Sequence, residues 1–310
     1  MSAITKLKGA MSLYLESFRS TVNGDGYFIA NPITLLESNG TIRLSNGQLL
    51  PFNKHNKKDM VNVAIFALEN GVTFGSKKYD WKFHSSKNII ETPSGIKINV
   101  KGFDHNIISE TFLYDIHFVD FDLSGKTVID AGGFIGDTAL YYASKGARVY
   151  SFEPDPNSYN IALSNLKLNP KLSRRITLEN YALGKDGNIE FPINLNGSGG
   201  SSVYDSDLKQ TLMTKSLSIT GILKKYGLSS PYLLHLDVKG SEFDLIDDHA
   251  ISKFQRVRIE YSPYLIKNEN KGLTYLKTKL KKAGFNKMRV YKHNHLRYDL
   301  SYHGTIDAAK

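Results

Sequence analysis

The sequence predicts a doubly wound α/β fold, a mostly parallel seven-stranded sheet, preceded by a small α+β module. Three observations carry that prediction. Lys126 to Ile129 is a short β-branched run that ends in Asp130 and meets Gly132, Gly133 and Gly136, the layout of a strand turning sharply into a helix. The same plan of strand, terminal acid and turn recurs at Arg148 to Glu153, Tyr232 to Asp237 and Arg256 to Glu260. Before residue 105 the texture is different, with short β-like runs around a single helix.

The elements follow in order. Ile4, Leu7, Met11, Tyr14 and Phe18 mark one face of a helix over residues 1 to 20. Asn46-Gly47, between IRLS and QLLPF, predicts a hairpin, and Asp59 to Asn70 a helix closed by Gly71. Tyr79, Trp81 and Phe83 alternate with polar residues, and their aromatic rings read as core rather than as a sugar platform. Residues 1–105 form this module, a place for acceptor binding or oligomerisation, and 106–310 the larger domain. In the latter, Asp137 to Ala143 is the first helix and Arg148 to Phe152 the second strand. Asp155-Pro156 then caps a helix that Asn169-Pro170 stops. Ile176 to Leu183 is the third strand and Ile189 to Ile193 a short one. Asn194 to Tyr204 is a Gly/Ser loop, Met213 to Leu217 an edge strand and Ile219 to Tyr226 a helix. Tyr232 to Asp237 and Arg256 to Ser262 are strands. Thr274 to Ala283 is a basic amphipathic helix, and Met288 to Tyr291 and Tyr302 to Ile306 close the sheet.

Composition bounds the function. Without a single Cys, disulfides, thiolate metal sites and a Cys nucleophile are excluded. No apolar run approaches the ~20 residues that span a bilayer, so the expected location is the cytoplasm, and the sequons at Asn39 and Asn196 read as chance. A net charge of +10 and a pI near 9.4 fit anionic company or simply a basic soluble enzyme.

The glycine turn selects among nucleotides. A phosphate-binding P-loop requires Lys and Ser or Thr after its last glycine, but Asp137 follows Gly136. The pyrophosphate of a dinucleotide would face Asp130 and Asp137, which favours a cationic ligand, with a nicotinamide or flavin as the alternative. S-adenosylmethionine carries a sulfonium and a ribose, and Glu153 stands where both ribose hydroxyls can donate to it.

Asp130, Gly132, Gly136 and Glu153 thus resemble the first motifs of class I methyltransferases. With IDAGGFIGDTALYYASKGA, VYSFEPDPNSYNIALSNLKLN, ENYALG, MTKSLSITGILKKYGL, LHLDVKGSEFDLI and RIEYS in view, residues 105 to 305 resemble the FkbM-type methyltransferase family. The resemblance implies S-adenosylmethionine-dependent O-methylation of a sugar, glycolipid or related small molecule. It places cofactor contact on Asp130, Gly132, Gly133, Phe134, Gly136, Glu153, Pro154, Asn180, Tyr181 and Asp237. It places the active site on Asp237, Glu242 and Glu260. One departure stands out: the family usually reads D-V-E-G-x-E, and here Lys239 replaces the first Glu.

A Lys inside a carboxylate cluster opposes a metal, so no metal ligand is assigned. A hydroxyl then needs a general base, first Asp237 and second His235. Lys239 orients Asp237, meets an anionic acceptor or points to solvent. Two other functions remain open. A ribose 2'-O RNA methyltransferase would use the basic run from Lys277 to Arg297, though no RNA-binding module precedes it. A non-catalytic cofactor-binding protein is the other. The sequence leaves the acceptor and the oligomeric state unnamed.

Overall fold

The computed structural model describes residues 29–75, 81–117, 119, 121–193, 211–266, 271–292, 299–301 and 303–310. The predicted helix over 1–20, Tyr79, the Gly/Ser loop of 194–204, Tyr302 and part of the basic run to Arg297 lie outside the described residues. The chain divides into two compact units, Met1–Tyr114 and Asp115–Lys310.

In the first unit β1 (Gly40–Arg43) and β2 (Leu49–Phe52) form the hairpin that Asn46-Gly47 predicts. Helix α1 (Lys57–Asn70) buries Met60, Val63, Ala64, Phe66 and Ala67 and ends at left-handed Gly71. Strands β3 (Lys82–His84), β4 (Ile89–Glu91) and β5 (Lys97–Asn99) make an antiparallel sheet. Trp81 is fully buried, edge-on to Phe66 at 5.2 Å between ring centres, so it is core. Helix α2 (His105–Ile108), capped by the Asp104 side chain, runs into a π-helical turn over Ser109–Leu113 that the sequence does not announce.

The second unit opens with β6 (Thr127–Ala131), α3 (Asp137–Ser144), β7 (Arg148–Phe152), α4 (Pro156–Leu168), the short α5 (Pro170–Ser173) and β8 (Ile176–Glu179). After β9 (Tyr181–Leu183), β10 (Gly187–Pro192), β11 (Thr211–Leu217) and α6 (Ile219–Lys225), it continues through β12 (Leu233–Leu236), α7 (Glu242–Leu245) and β13 (Arg256–Tyr261). Helix α8 (Leu273–Lys282), β14 (Lys287–Tyr291) and β15 (Gly304–Ala309) finish it. The main sheet has seven strands in the order β14-β15-β13-β12-β6-β7-β8, with β15 alone antiparallel to its neighbours. The predicted fold class therefore holds. The winding direction reverses between β6 and β12, the position at which doubly wound sheets open a crevice at their carboxyl ends.

Two strand predictions need correction. Ile176 to Leu183 is not one strand: it breaks at Asn180, and β9 joins a separate three-stranded sheet with β10 and β11. Asn180 turns its side chain back onto the loop after β7, which interrupts the run. Met213 to Leu217 is not an edge but part of β11, the middle strand of that sheet, which pairs with β10 along one side and, at Lys215, Ser216 and Leu217, with β9 along the other.

Candidate active site

Backbone contacts lock the reversal point. The Asp237 N–H donates to the Ala131 carbonyl at 2.9 Å, and the Gly132 and Gly133 N–H groups both donate to Phe152 O at 3.0 Å. Gly132 is left-handed, φ +89°, and a Cβ there would lie 2.0 Å from the Asp237 carbonyl oxygen. Only glycine lets these two strand ends approach so closely. Phe134 follows with φ +40°, a strained value for a side-chain-bearing residue, and its N–H donates to Glu153 Oε2 at 2.8 Å.

Asp130 is fully buried and engaged on both oxygens. Its Oδ1 lies 2.9 Å from His235 Nδ1, and its Oδ2 accepts from Ser151 Oγ at 2.7 Å. Register explains the trio, since Ser151, Asp130 and His235 are direct neighbours across β7, β6 and β12. The His235 ring is packed edge-on to His117 at 5.3 Å, inside the protein.

Glu153 emerges just past β7. Its oxygens accept one N–H each, from Phe134 and from Asp155 (2.8 Å). A carboxylate has about four acceptor positions, so capacity for two hydroxyls remains. Burial pushes its carboxyl up to about 8, against the lowering effect of the Asp155 and Phe134 N–H groups. Asn180 Nδ2 donates to the Glu153 and Pro154 carbonyls at 2.8 and 3.0 Å, fixing the loop that carries the acid. Tyr181, the first residue of β9, lies under Lys225, whose Nζ is 4.3 Å from the ring centre.

Across the reversal point lies a second group of charges. Lys239 Nζ is 2.9 Å from Asp237 Oδ1 and 2.9 Å from Glu260 Oε1. This excludes the solvent-pointing option for Lys239. Burial alone would depress the ammonium, but the Asp237 and Glu260 carboxylates hold it well above the ordinary lysine value. It is a fixed cation, not a base. Lys239 has φ +45°, a second side-chain-bearing residue in the left-handed region. His303 Nε2 approaches Glu260 Oε1 at 3.6 Å, and its Nδ1 lies 3.1 Å from the Tyr261 carbonyl. Beneath them the buried Glu242 accepts the N–H groups of Gly240 (2.6 Å) and Ser262 (2.8 Å), tying the loop after β12 to the end of β13. Burial raises its carboxyl to about 7, opposed by those N–H groups and reinforced by the nearby Asp237 charge. Among the described residues no trio of His, Asp or Glu is arranged to hold a metal ion.

The structure sets Asp237, Lys239 and Glu260 side by side, and Gly132 and Glu153 around one turn. It separates from them His235, the second candidate base, and places it with Asp130 in the interior. Sequence reasoning misses Ser151 and His303. Ser151 is legible only from strand register, and His303 only from the knowledge that β15 returns antiparallel beside β13.

Known proteins bear on this arrangement. The family model described as the methyltransferase FkbM domain matches residues 130–295. No curated protein matches the chain in sequence. Among solved structures, the magnesium protoporphyrin IX methyltransferase of Synechocystis, with bound S-adenosylmethionine, is similar at a TM-score of 0.41 and 14% identity, covering 68% of this chain and 81% of its own. A human methyltransferase 10 domain containing protein gives a TM-score of 0.42 at 12% identity, covering 70% of this chain and 89% of its own. The precorrin-6y C5,15-methyltransferase of Geobacter metallireducens gives 0.38 at 13%, covering 64% and 86%.

Proposed function

This chain belongs to the FkbM methyltransferase family and is an S-adenosylmethionine-dependent methyltransferase, and from that premise we propose that it methylates a hydroxyl of an uncharged sugar, glycolipid or related small molecule. The observation that carries the proposal is the row Asp237, Lys239 and Glu260 beside the glycine turn. Two carboxylates surround one ammonium, so the cluster is net negative and its cation is already held. Such a cluster accepts hydrogen bonds from hydroxyls and disfavours phosphate. The basic residues at the ends of the main strands support the same reading. Lys126, Arg148, Arg175, Arg256, Lys287 and Lys310 are at the amino-terminal edge of the parallel sheet, opposite the glycine turn. A polyanionic acceptor is therefore not favoured by the charges around the site.

The residues suit the cofactor. Glu153 keeps acceptor capacity for two ribose hydroxyls, and Gly132 and Gly133 let the turn pack directly against Asp237 and Ser151, with Gly136 starting α3 behind them. Phe134 and Pro154 flank the acid, and Asn180 and Tyr181 border the adenine end. Asp130 serves through the turn it anchors, since both of its oxygens are engaged. When bound, S-adenosylmethionine supplies a methyl group activated by a sulfonium. Asp237 takes the acceptor's hydroxyl proton as general base, with Lys239 fixing the direction of its carboxylate. His235 is too deeply packed against Asp130 and His117 to reach an acceptor, and serves as the support of Asp130.

Calorimetry with S-adenosylhomocysteine tests the cofactor half. We expect micromolar binding to the wild type and a loss of roughly 100-fold in Glu153→Ala, the equivalent of two charge-assisted hydrogen bonds. A wild type that binds neither S-adenosylhomocysteine nor S-adenosylmethionine overturns the reading. With binding established, labelled donor offered to sugar, glycolipid and RNA acceptors tests the other half, and strongly salt-dependent RNA binding would move the assignment to RNA.

A further inference from the structure

Lys239 is a strained residue in the middle of the site. With three neighbours it forms a row of four charge-bearing groups across three adjacent strands. Asp237 follows β12, Glu260 lies on β13 and His303 precedes β15, with the ammonium 2.9 Å from each of the first two and His303 Nε2 3.6 Å from Glu260. The backbone at Lys239 is left-handed, φ +45°, a conformation that glycine would adopt more easily. What the side chain brings to this strained position is its ammonium, paired with two carboxylates. Glu242 lies behind the row and feels the Asp237 charge. Without a cation, three carboxylates would crowd one small volume.

We propose that Lys239 is a positioning residue, the resident counter-cation of the acceptor site, holding Asp237 and Glu260 as a charged pair so that the site handles an uncharged hydroxyl with no added cation. The inference rests on the cofactor reading above, which brings a sulfonium to the same edge of the sheet. The groups that face Lys239 are Asp237, Glu260 and, through Glu260, His303, with Glu242 behind them. Remove the ammonium and Asp237 and Glu260 repel, and the pair retains a proton near neutral pH. An incoming sulfonium then replaces the missing cation and expels that proton. S-adenosylhomocysteine, a neutral thioether, does not.

The experiment counts protons rather than turnover. Binding of each cofactor form is measured by calorimetry in buffers of different ionisation enthalpy, which gives the protons released per ligand bound. Any contribution from Glu153 is common to both ligands and cancels in the difference between them. In the wild type and in Lys239→Arg, S-adenosylmethionine and S-adenosylhomocysteine are expected to release equal numbers. In Lys239→Met, S-adenosylmethionine is expected to release up to about one proton more. Lys239→Gly removes the ammonium while relieving the left-handed backbone, and should behave as Lys239→Met does. Equal release of both ligands in the Met and Gly variants overturns the proposal while leaving the cofactor site intact. Loss of S-adenosylhomocysteine binding in both, with Lys239→Arg unaffected, overturns it as well, since Lys239 would then be a structural requirement of the cofactor site. A wild type that binds neither ligand overturns the cofactor reading first and this inference with it.

Discussion

The two ends of the seven-stranded sheet carry opposite charges and opposite kinds of packing. At the carboxyl end stand Asp130, Glu153, Glu179, Asp237 and Glu260, one for each of five strands, and Asp130, Glu153 and Glu260 are buried. At the amino end stand Lys126, Arg148, Arg175, Arg256, Lys287 and Lys310, and Arg148, Arg175, Lys287 and Lys310 are exposed. The carboxylates are held by specific donors, such as Phe134 and Asp155 on Glu153 or Lys239 on Glu260, and Gly132, Phe134, Gly136, Lys239 and Gly240 there have left-handed backbones. The exposed cations face water. The difference teaches where free energy is invested: at one end buried charge must be compensated residue by residue, while at the other it is screened by solvent.

The sharpest way to break that contrast is at Gly132. A methyl group in Gly132→Ala would lie 2.0 Å from the Asp237 carbonyl oxygen, a main-chain atom that cannot swing aside, and the residue would also keep a positive φ. We expect destabilisation of roughly 3 kcal/mol or more in denaturant unfolding, with S-adenosylhomocysteine binding lost, because the two strand ends must separate. Wild-type stability in this variant would mean that the carboxyl end is far less tightly determined than its contacts indicate.

Why Gly132 was legible in the sequence, and His303 was not, follows from the range of the interactions. The turn at Gly132, the acid at Glu153 and the loop at Asp237 are each local consequences of a strand ending, so spacing along the chain reveals them. The seven-stranded order follows from the alternation of strands and helices in the same way. His303 meets Glu260 only because β15 folds back beside β13, and no local pattern near His303 reports that. The break at Asn180 was hidden for a related reason. Ile176 to Leu183 is continuous in β-forming residues, and what divides it is a hydrogen bond from Asn180 to carbonyls more than twenty positions earlier. Asp130 shows a third limit. A carboxylate beside a glycine turn reads as a ligand contact, yet register with Ser151 and His235 turns it inward.

A pH series sharpens the comparison with an effect of intermediate size. Glu153 has a carboxyl raised to about 8 and Glu242 one raised to about 7, both chiefly by burial. Both bind a proton in the folded state that the unfolded chain has released by about pH 5. Their contribution to stability is therefore full below the unfolded value and is lost as pH rises through about 7 and about 8, on the order of 3 kcal/mol for Glu242 and about 5 kcal/mol for Glu153. The melting temperature of the unliganded protein should fall between pH 6 and pH 9. Ribose hydroxyls donate to an ionised Glu153, so S-adenosylhomocysteine affinity should move the opposite way. It is expected to rise by up to roughly tenfold per unit below pH 8 and then level off, a trend that Glu153→Gln abolishes. An affinity that falls over this range would remove Glu153 from the ribose.

The smallest effect is expected at the amino end, and it tests whether the two ends act on each other at all. Arg148 begins the five-residue strand β7, and Glu153 follows its last residue. At ~3.3 Å per residue the two are roughly 16 Å apart, well beyond the ~8 Å screening length at physiological ionic strength. Arg148→Ala, and Lys287→Ala at the corresponding end of β14, should change unfolding free energy by less than about 0.5 kcal/mol. S-adenosylhomocysteine affinity and its pH midpoint should be unchanged within roughly twofold. A displaced midpoint in Arg148→Ala would mean that charge at the amino end reaches Glu153 through the buried interior, where screening is weak. The segregation of charge along the sheet would then be part of the cofactor site itself and not a property of its surface. An unchanged midpoint, together with the collapse expected for Gly132→Ala, leaves the chemistry of this protein confined to a band of a few residues at the carboxyl ends of five strands.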